Sequence, residues 1–206
     1  MDNLKSHLYF LSFCVLIFTQ GCAQTLQIDS INPDLNINTT TKLTGNSKTA
    51  IESFKIHSKA HQYIVGEAKV GFVNSKADIV STEEVGSIVA NAVKKGFRAA
   101  GFHVVDLRDA DFIVSGVVEK FWVDEYATGL SLEFSKASVR YDVIIRDRHG
   151  ATIWANSLDL HKTSDESLDA TEDDIPTLSL ALKESVESIF RDQSFWGAIY
   201  KYDRQM

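Results

Sequence analysis

His57 and His61 stand four positions apart, the spacing that puts two imidazoles on one helix face for a metal. Their neighbours Ile56, Tyr63 and Ile64 read as strand instead. There the two rings share a face but lie roughly 13 Å apart, so they are read as surface histidines. Asp109-Ala110-Asp111 could hold a cation against substrate phosphates, as in some transferases. It sits in a short turn with no phosphate-cradling loop nearby, and a turn is its expected role. Asp165, Glu166, Asp169, Glu172, Asp173 and Asp174 could gather Ca²⁺, but calcium-loop spacing and its glycine are missing. These carboxylates are expected to serve the positive end of the following helix. No nucleophile elbow, P-loop, CxxC or HExxH occurs, and nothing selects one Ser-His-Asp set. The expectation is a protein with no catalytic residues, no metal and no cofactor.

The one side chain with a clear covalent chemistry is Cys22. Met1–His7 is short and polar, and Leu8–Phe18 reads LYFLSFCVLIF. That apolar run is too short to span a bilayer and suits the h-region of a signal peptide. Phe18-Thr19-Gln20-Gly21-Cys22 then resembles a bacterial lipobox, with Thr19 and Gln20 standing where an aliphatic and a small residue are usual. The resemblance implies a leader of residues 1–21, cut before Cys22, and fatty acids such as palmitate on that sulfur. An ordinary secretory signal cut nearby is the alternative. The chain has 2 cysteines, and Cys14 lies inside the leader, so acylation of Cys22 leaves the mature chain without a thiol. Several acyl chains anchor firmly, at about 0.8 kcal/mol per buried CH₂. Ala23 after the cysteine implies, by resemblance to Gram-negative sorting signals, the outer membrane with the domain facing the periplasm.

Composition sets further bounds. A chain of 206 residues, 44% apolar and 24% charged, fits a single globular domain. At that size roughly 70% of the unfolded surface is buried, so no metal or disulfide staple is required. Net charge is −7 and no basic run appears. Nucleic acid is therefore an unsuitable partner, and so is an electrostatically bound anionic lipid surface. No oligomeric state is read from the sequence. Residues 22–50, rich in Asn, Thr, Ser and Asp, read as a lipidated, mostly extended tether, with a short strand at Leu26–Ile31. A loop packed on the domain is the alternative. Residues 51–206 read as the domain.

The element everything else must cover is a helix over Ser81–Gly101. Val85, Ile88, Val89, Ala92, Val93, Phe97 and Ala100 make its apolar stripe. Ser81 and Glu84 suggest a capping box, and Gly101 a left-handed stop. Before it, Ser53–Ala60 and Gln62–Phe72 read as weak strands. After it come strands at Phe102–Leu107, Phe112–Asp124 (central, bent at Gly116), Leu130–Arg146 and Ala151–Lys162, with a tight turn at Asp147–Gly150. Pro176 opens a second helix with the stripe Ile175, Leu178, Leu182, Val186, Ile189 and Phe190, and Phe195–Tyr200 continues it as a broken segment. The order predicts an α+β fold: an antiparallel-type sheet with both helices on one face.

Aromatic clusters are the functional hint. Phe121, Trp122 and Tyr126 gather at the end of the central strand, and Phe195, Trp196, Tyr200 and Tyr202 near the C-terminus. They predict either core packing or an apolar patch for a partner or lipid tail. The helix end Lys94-Lys95-Gly96-Phe97-Arg98-Ala99-Ala100-Gly101-Phe102-His103-Val104, then Ala110-Asp111-Phe112-Ile113-Val114 and two long strands before a final helix, resemble the YajG-type bacterial lipoproteins from about Ser53 onward. That family often carries an Asp-Arg pair after its first strand, where this chain has Ser58-Lys59-Ala60-His61. The resemblance implies a fold and a location, not a reaction. It is also similar to small envelope lipoprotein domains that bind protein partners. The functional expectation is a non-enzymatic interaction module in the cell envelope. The alternative is a periplasmic carrier of lipid or another hydrophobic ligand, and a hydrolase ranks third.

Overall fold

The computed structural model describes residues 25–37, 48–70, 75–128, 132–165 and 171–203. Cys22, the leader, the Asn38–Thr41 run, Glu166 and Asp169 lie outside them. The described residues form nine strands and three helices, an α+β fold. The strands are β1 (Thr25–Ile28), β2 (Lys48–Ile51), β3 (Lys55–Ile56), β4 (Ile64–Val70), β5 (Ser75–Ser81), β6 (His103–Val104), β7 (Phe112–Thr128), β8 (Leu132–Asp147) and β9 (Thr152–Thr163). The helices are α1 (Val85–Ala99), α2 (Thr171–Arg191) and α3 (Gln193–Asp203).

Strand β7 is central, as its apolar run implies. One edge pairs with β8 along its whole length, and β8 pairs in turn with β9, both antiparallel. The other edge is covered by three short segments in series, all parallel to it. Thr49–Ile51 lies along Phe112–Val114, Lys55–Ile56 along Val117–Val118, and Gly66–Glu67 along Val123–Asp124. Beyond β4 come β5, antiparallel, and β1, parallel. The sheet is thus mixed where the sequence predicted antiparallel pairing. The added strands are two to seven residues long, too short for alternation to show how they pair. Strand β5 escaped the sequence reading, although Ala77 and Ile79 alternate inward against Lys76 and Asp78.

The predicted stripe of α1 is buried throughout. Its stop is a Schellman motif. Phe102 N–H donates to Phe97 C=O and Gly101 N–H to Arg98 C=O, both at 3.0 Å, with Gly101 at φ 90°. The Phe97 and Phe102 rings meet at 4.8 Å, the apolar contact that accompanies this cap. The start differs from expectation: the helix begins at Val85 and Glu84 makes no side-chain cap. Ser81 Oγ instead accepts the Glu83 N–H at 3.1 Å, and the Glu84 carboxylate accepts from Gln62 Nε2 at 2.5 Å and Tyr63 OH at 3.1 Å.

Helix α2 begins at Thr171, so Pro176 lies inside it rather than at its opening. Its stripe packs across β8 and β9, with Leu178, Leu182, Val186 and Ile189 fully buried. It crosses α1 at Gly96, where an added Cβ would lie 2.7 Å from Val186 and 2.8 Å from Phe190. The two helices therefore share one face of the sheet. The stretch read as a tether is folded in part. Thr25–Ile28 is an edge strand, Ile31 is buried in the core, and the Asn36 N–H donates to Glu187 Oε1 at 2.9 Å.

At Gly116 the β7–β8 ladder is unbroken. The glycine makes room for Phe54, whose ring would lie 2.2 Å from an added Cβ. Gly86, in the first turn of α1, is tighter still, because its Cβ would stand 2.0 Å from the Phe54 carbonyl oxygen. Gly86→Ala must push backbone against backbone and is expected to destabilise the fold by about 2–3 kcal/mol in urea unfolding. Gly197→Ala, in α3 with open space around it, should instead stabilise by about 0.5–1 kcal/mol.

Candidate functional site

Between Lys55–Ile56 and Gly66–Glu67 the chain leaves the edge of β7, and the 3-10 turn Lys59–His61 arches over the gap. At the same level β7 carries a bulge. Val118 faces Tyr141 and Lys120 faces Arg140, so Glu119 is the extra residue. Before it, Phe112, Val114, Gly116 and Val118 point at the helices. After it, Phe121, Val123 and Glu125 do. The bulge thus reverses the alternation and turns Trp122 away from the core. The sequence signal was two charged residues in succession, Glu119-Lys120, inside an apolar strand.

Gap and bulge together leave a cleft of about 330 Å³. Ile56, Val85, Val118 and Phe121 give it an apolar floor, and Trp122 and His61 form a wall. The two rings meet edge-on at 5.2 Å and 87°. Trp122 Nε1–H donates to Asp124 Oδ1 at 2.8 Å, which fixes the indole. Glu119, Lys120 and Asp124 supply charge of both signs, and Ser58 a hydroxyl. Ser58, His61 and Asp124 do line one cleft, yet among the described residues no side-chain hydrogen bond links Ser58 to His61 or His61 to Asp124. The imidazole leans on an indole, and the arrangement suits recognition of an apolar group with a polar flank.

The predicted aromatic residues are dispersed. Phe121 and Trp122 share the cleft. Tyr126 lies further along β7, 42% exposed, stacked on Phe134 at 5.6 Å and 16°. Phe195 is fully buried among Phe97, Phe190 and Trp154, with ring centroids at 5.9, 5.6 and 5.5 Å. Trp196 is buried too, its Nε1–H donating to Phe190 C=O at 2.8 Å, and Tyr200 stacks on it. Phe195 and Trp196 are core, and Tyr200 packs half-buried against it. His57 is exposed on the chain entering the turn. Asp111 braces the sheet end: Oδ2 accepts the Lys48 N–H at 2.9 Å, and the Asp111 N–H donates to Lys48 C=O at 2.8 Å.

Of the acidic cluster, Asp174 alone is buried among the described side chains. Its Oδ1 accepts from Ser135 Oγ at 2.6 Å, and beside it lies the buried Glu125 carboxyl, whose Oε2 accepts the Lys69 N–H at 2.6 Å. Glu125 Oε1 and Asp174 Oδ2 are buried without a hydrogen-bond partner in the protein. Among the described residues no group of three His, Cys, Asp or Glu side chains could hold a metal ion. Burial, opposed by the Ser135 bond and reinforced by Glu125, pushes the Asp174 carboxyl up from 3.8 to about 7.

No family model matches this chain, and no curated protein does. Solved structures do. A Xanthomonas campestris protein of family DUF330 superposes with a TM-score of 0.59 at 12% identity, covering 88% of this chain and 100% of that one. An uncharacterized protein gives 0.50 at 10% identity, covering 82% and 98%. A minor lipoprotein from Acinetobacter baumannii gives 0.42 at 12% identity, covering 73% and 92%. The first two share the fold of this chain, and at these identities the likeness is one of fold.

The acid pair has a measurable consequence. A carboxyl raised on folding holds its proton between pH 4 and 7, where the unfolded chain has lost it. The folded state binds more protons there, so stability falls as pH rises through that window. Asp174→Asn keeps the neutral shape and removes the titration. Its stability relative to the natural chain should therefore grow from pH 5 to pH 7, by at most about 1.4 kcal/mol per unit, in parallel urea melts.

Proposed function

We propose that this chain is an envelope lipoprotein, acylated at Cys22 behind a cleaved leader and held at the outer membrane with its domain in the periplasm. The domain works as a non-enzymatic docking module, and the cleft beside Trp122 is where a protein partner seats an apolar side chain. The observation that carries this reading is the bulge-made cleft, whose fixed indole and apolar floor sit within a rim of both charges. Buried aromatic anchors with polar rims are the usual energetic centres of protein interfaces.

A second reading makes the same floor the seat of a hydrophobic small molecule. About 330 Å³ is at the low end for ligand pockets, which favours one or two side chains over a lipid. The space between helices and sheet is filled by Phe97, Phe112, Tyr141 and Leu182, all fully buried, and Tyr141 OH bonds Ser185 Oγ there at 3.0 Å. That too favours docking over a lipid-lined interior. Among the described residues no helix is long and apolar enough to cross a membrane, so attachment on this reading comes from the acylated cysteine.

Cys22→Ser should move the protein from the membrane to the soluble fraction of fractionated cells; retention in the membrane would remove the anchor from this account. A photocrosslinking amino acid at Lys120 should trap one protein adduct in living cells, lost when Trp122→Ala is added. A lipid in the native mass spectrum, with no protein adduct, would replace docking by carriage.

A further inference from the structure

One row of residues crosses the sheet in register: Thr25, Asp78, Glu67, Asp124, Lys136 and Thr163. It fixes what lies at each end. Strand β1 starts at this row and runs away from the β7–β8 hairpin, while β7 runs on past it to Thr128. The last four residues of β7 carry the hairpin about 13 Å beyond the level of Thr25. Cys22 lies three residues before Thr25, so its Cα is tied within about 10 Å of the β1 start and its sulfur within about 13 Å. That leash does not outreach the hairpin.

The hairpin end is equipped for such a position. Tyr126 and Phe134 stack on the helix-free face of the sheet, and Lys136 Nζ sits 4.7 Å from one ring centroid and 5.3 Å from the other. An amphipathic tyrosine stacked on an apolar ring, with a lysine that can extend outward, suits a membrane–water interface. Nearby charges are neutralised in pairs, Lys69 with Glu133 at 3.2 Å and Lys76 with Glu67 at 2.6 Å, which suits a headgroup layer of mixed charge. The opposite end, at the Asp147–Gly150 turn, stands about 36 Å away along β8.

We infer that the domain stands hairpin-down on the lipid surface that holds its anchor, with Tyr126 and Phe134 at headgroup depth and the β8–β9 turn pointing away. This rests on acylation of Cys22. It also fixes the cleft's height, because the bulge at Glu119 is five residues above the Asp124 row.

The test uses the processed full chain, purified from cell membranes and reconstituted in phosphatidylethanolamine–phosphatidylglycerol vesicles. An environment-sensitive fluorophore is placed through Tyr126→Cys, through Lys136→Cys as an independent second site, or through His149→Cys at the far end. An acylated Cys22 has no thiol to compete. The expected result is flotation with the vesicles, a blue shift at 126 and 136, and quenching by shallow spin-labelled lipid several-fold stronger there than at 149. Flotation with equal quenching at both ends, or with none at 126 and 136, overturns the orientation and leaves the anchor intact. Failure to float, with Cys22 itself taking the label, overturns the anchor and the orientation together.

Discussion

A long strand in the middle of a sheet must have its backbone donors and acceptors met on both edges. In β7 that demand extends over 17 residues, and the two edges meet it differently. β8 answers it with one continuous antiparallel ladder. The other edge is served by three separate pieces of chain from the N-terminal third, each parallel and each brief. The chain between the second and third pieces has to leave the edge, and the strand bulges at the place it leaves. Cleft, outward indole and leaning imidazole all follow from that one break. The site is thus a by-product of how the edge is closed, positioned by the rigid centre of the sheet.

Periodic features were legible in the residues. The α1 stripe, its glycine stop, the α2 stripe and the β7–β8–β9 meander all repeat at helix or strand spacing over ten residues or more. The Asp147–Gly150 turn was legible as well: Asp147 Oδ1 accepts from His149 N–H and Ala151 N–H, both at 2.8 Å, and Gly150 has φ 86°. What stayed hidden depends on partners distant in the chain. Nothing in Lys55-Ile56 announces Val117-Val118 as its neighbour. Ser81 and Glu84 match a capping box by type, yet Gln62 and Tyr63 draw the Glu84 carboxylate away. In the candidate site, Trp122 and His61 each stood out by residue type. Their contact depends on the parity change at Glu119, which is a tertiary event.

Burial resolves the polar residues in the same way. Asp174 belongs to a run of carboxylates that resembles a solvated loop, and folding carries it to the side of Glu125, forty-nine positions earlier. Tyr141 is likewise enclosed, with its hydroxyl on Ser185, and burial raises its phenol above the usual range. Both pairs tie α2 to the strands beneath it. A helix that packed by hydrophobic area alone could slide along the sheet, whereas a hydroxyl or a carboxyl in an apolar layer tolerates one register only.

The parallel stitches also bear on the order in which the molecule assembles. Thr49–Ile51 finds its strand partner more than sixty residues later, at Phe112–Val114, and Thr25 packs on a hairpin edge that begins fifty residues on. The first part of the chain to leave a ribosome or a translocation pore therefore meets its partners last. Local pairing of β7, β8 and β9 has far shorter loops to close, and loop closure governs how early a contact forms. The nascent N-terminal third must stay extended until the middle of the chain arrives, so completion of the sheet is a retrograde step.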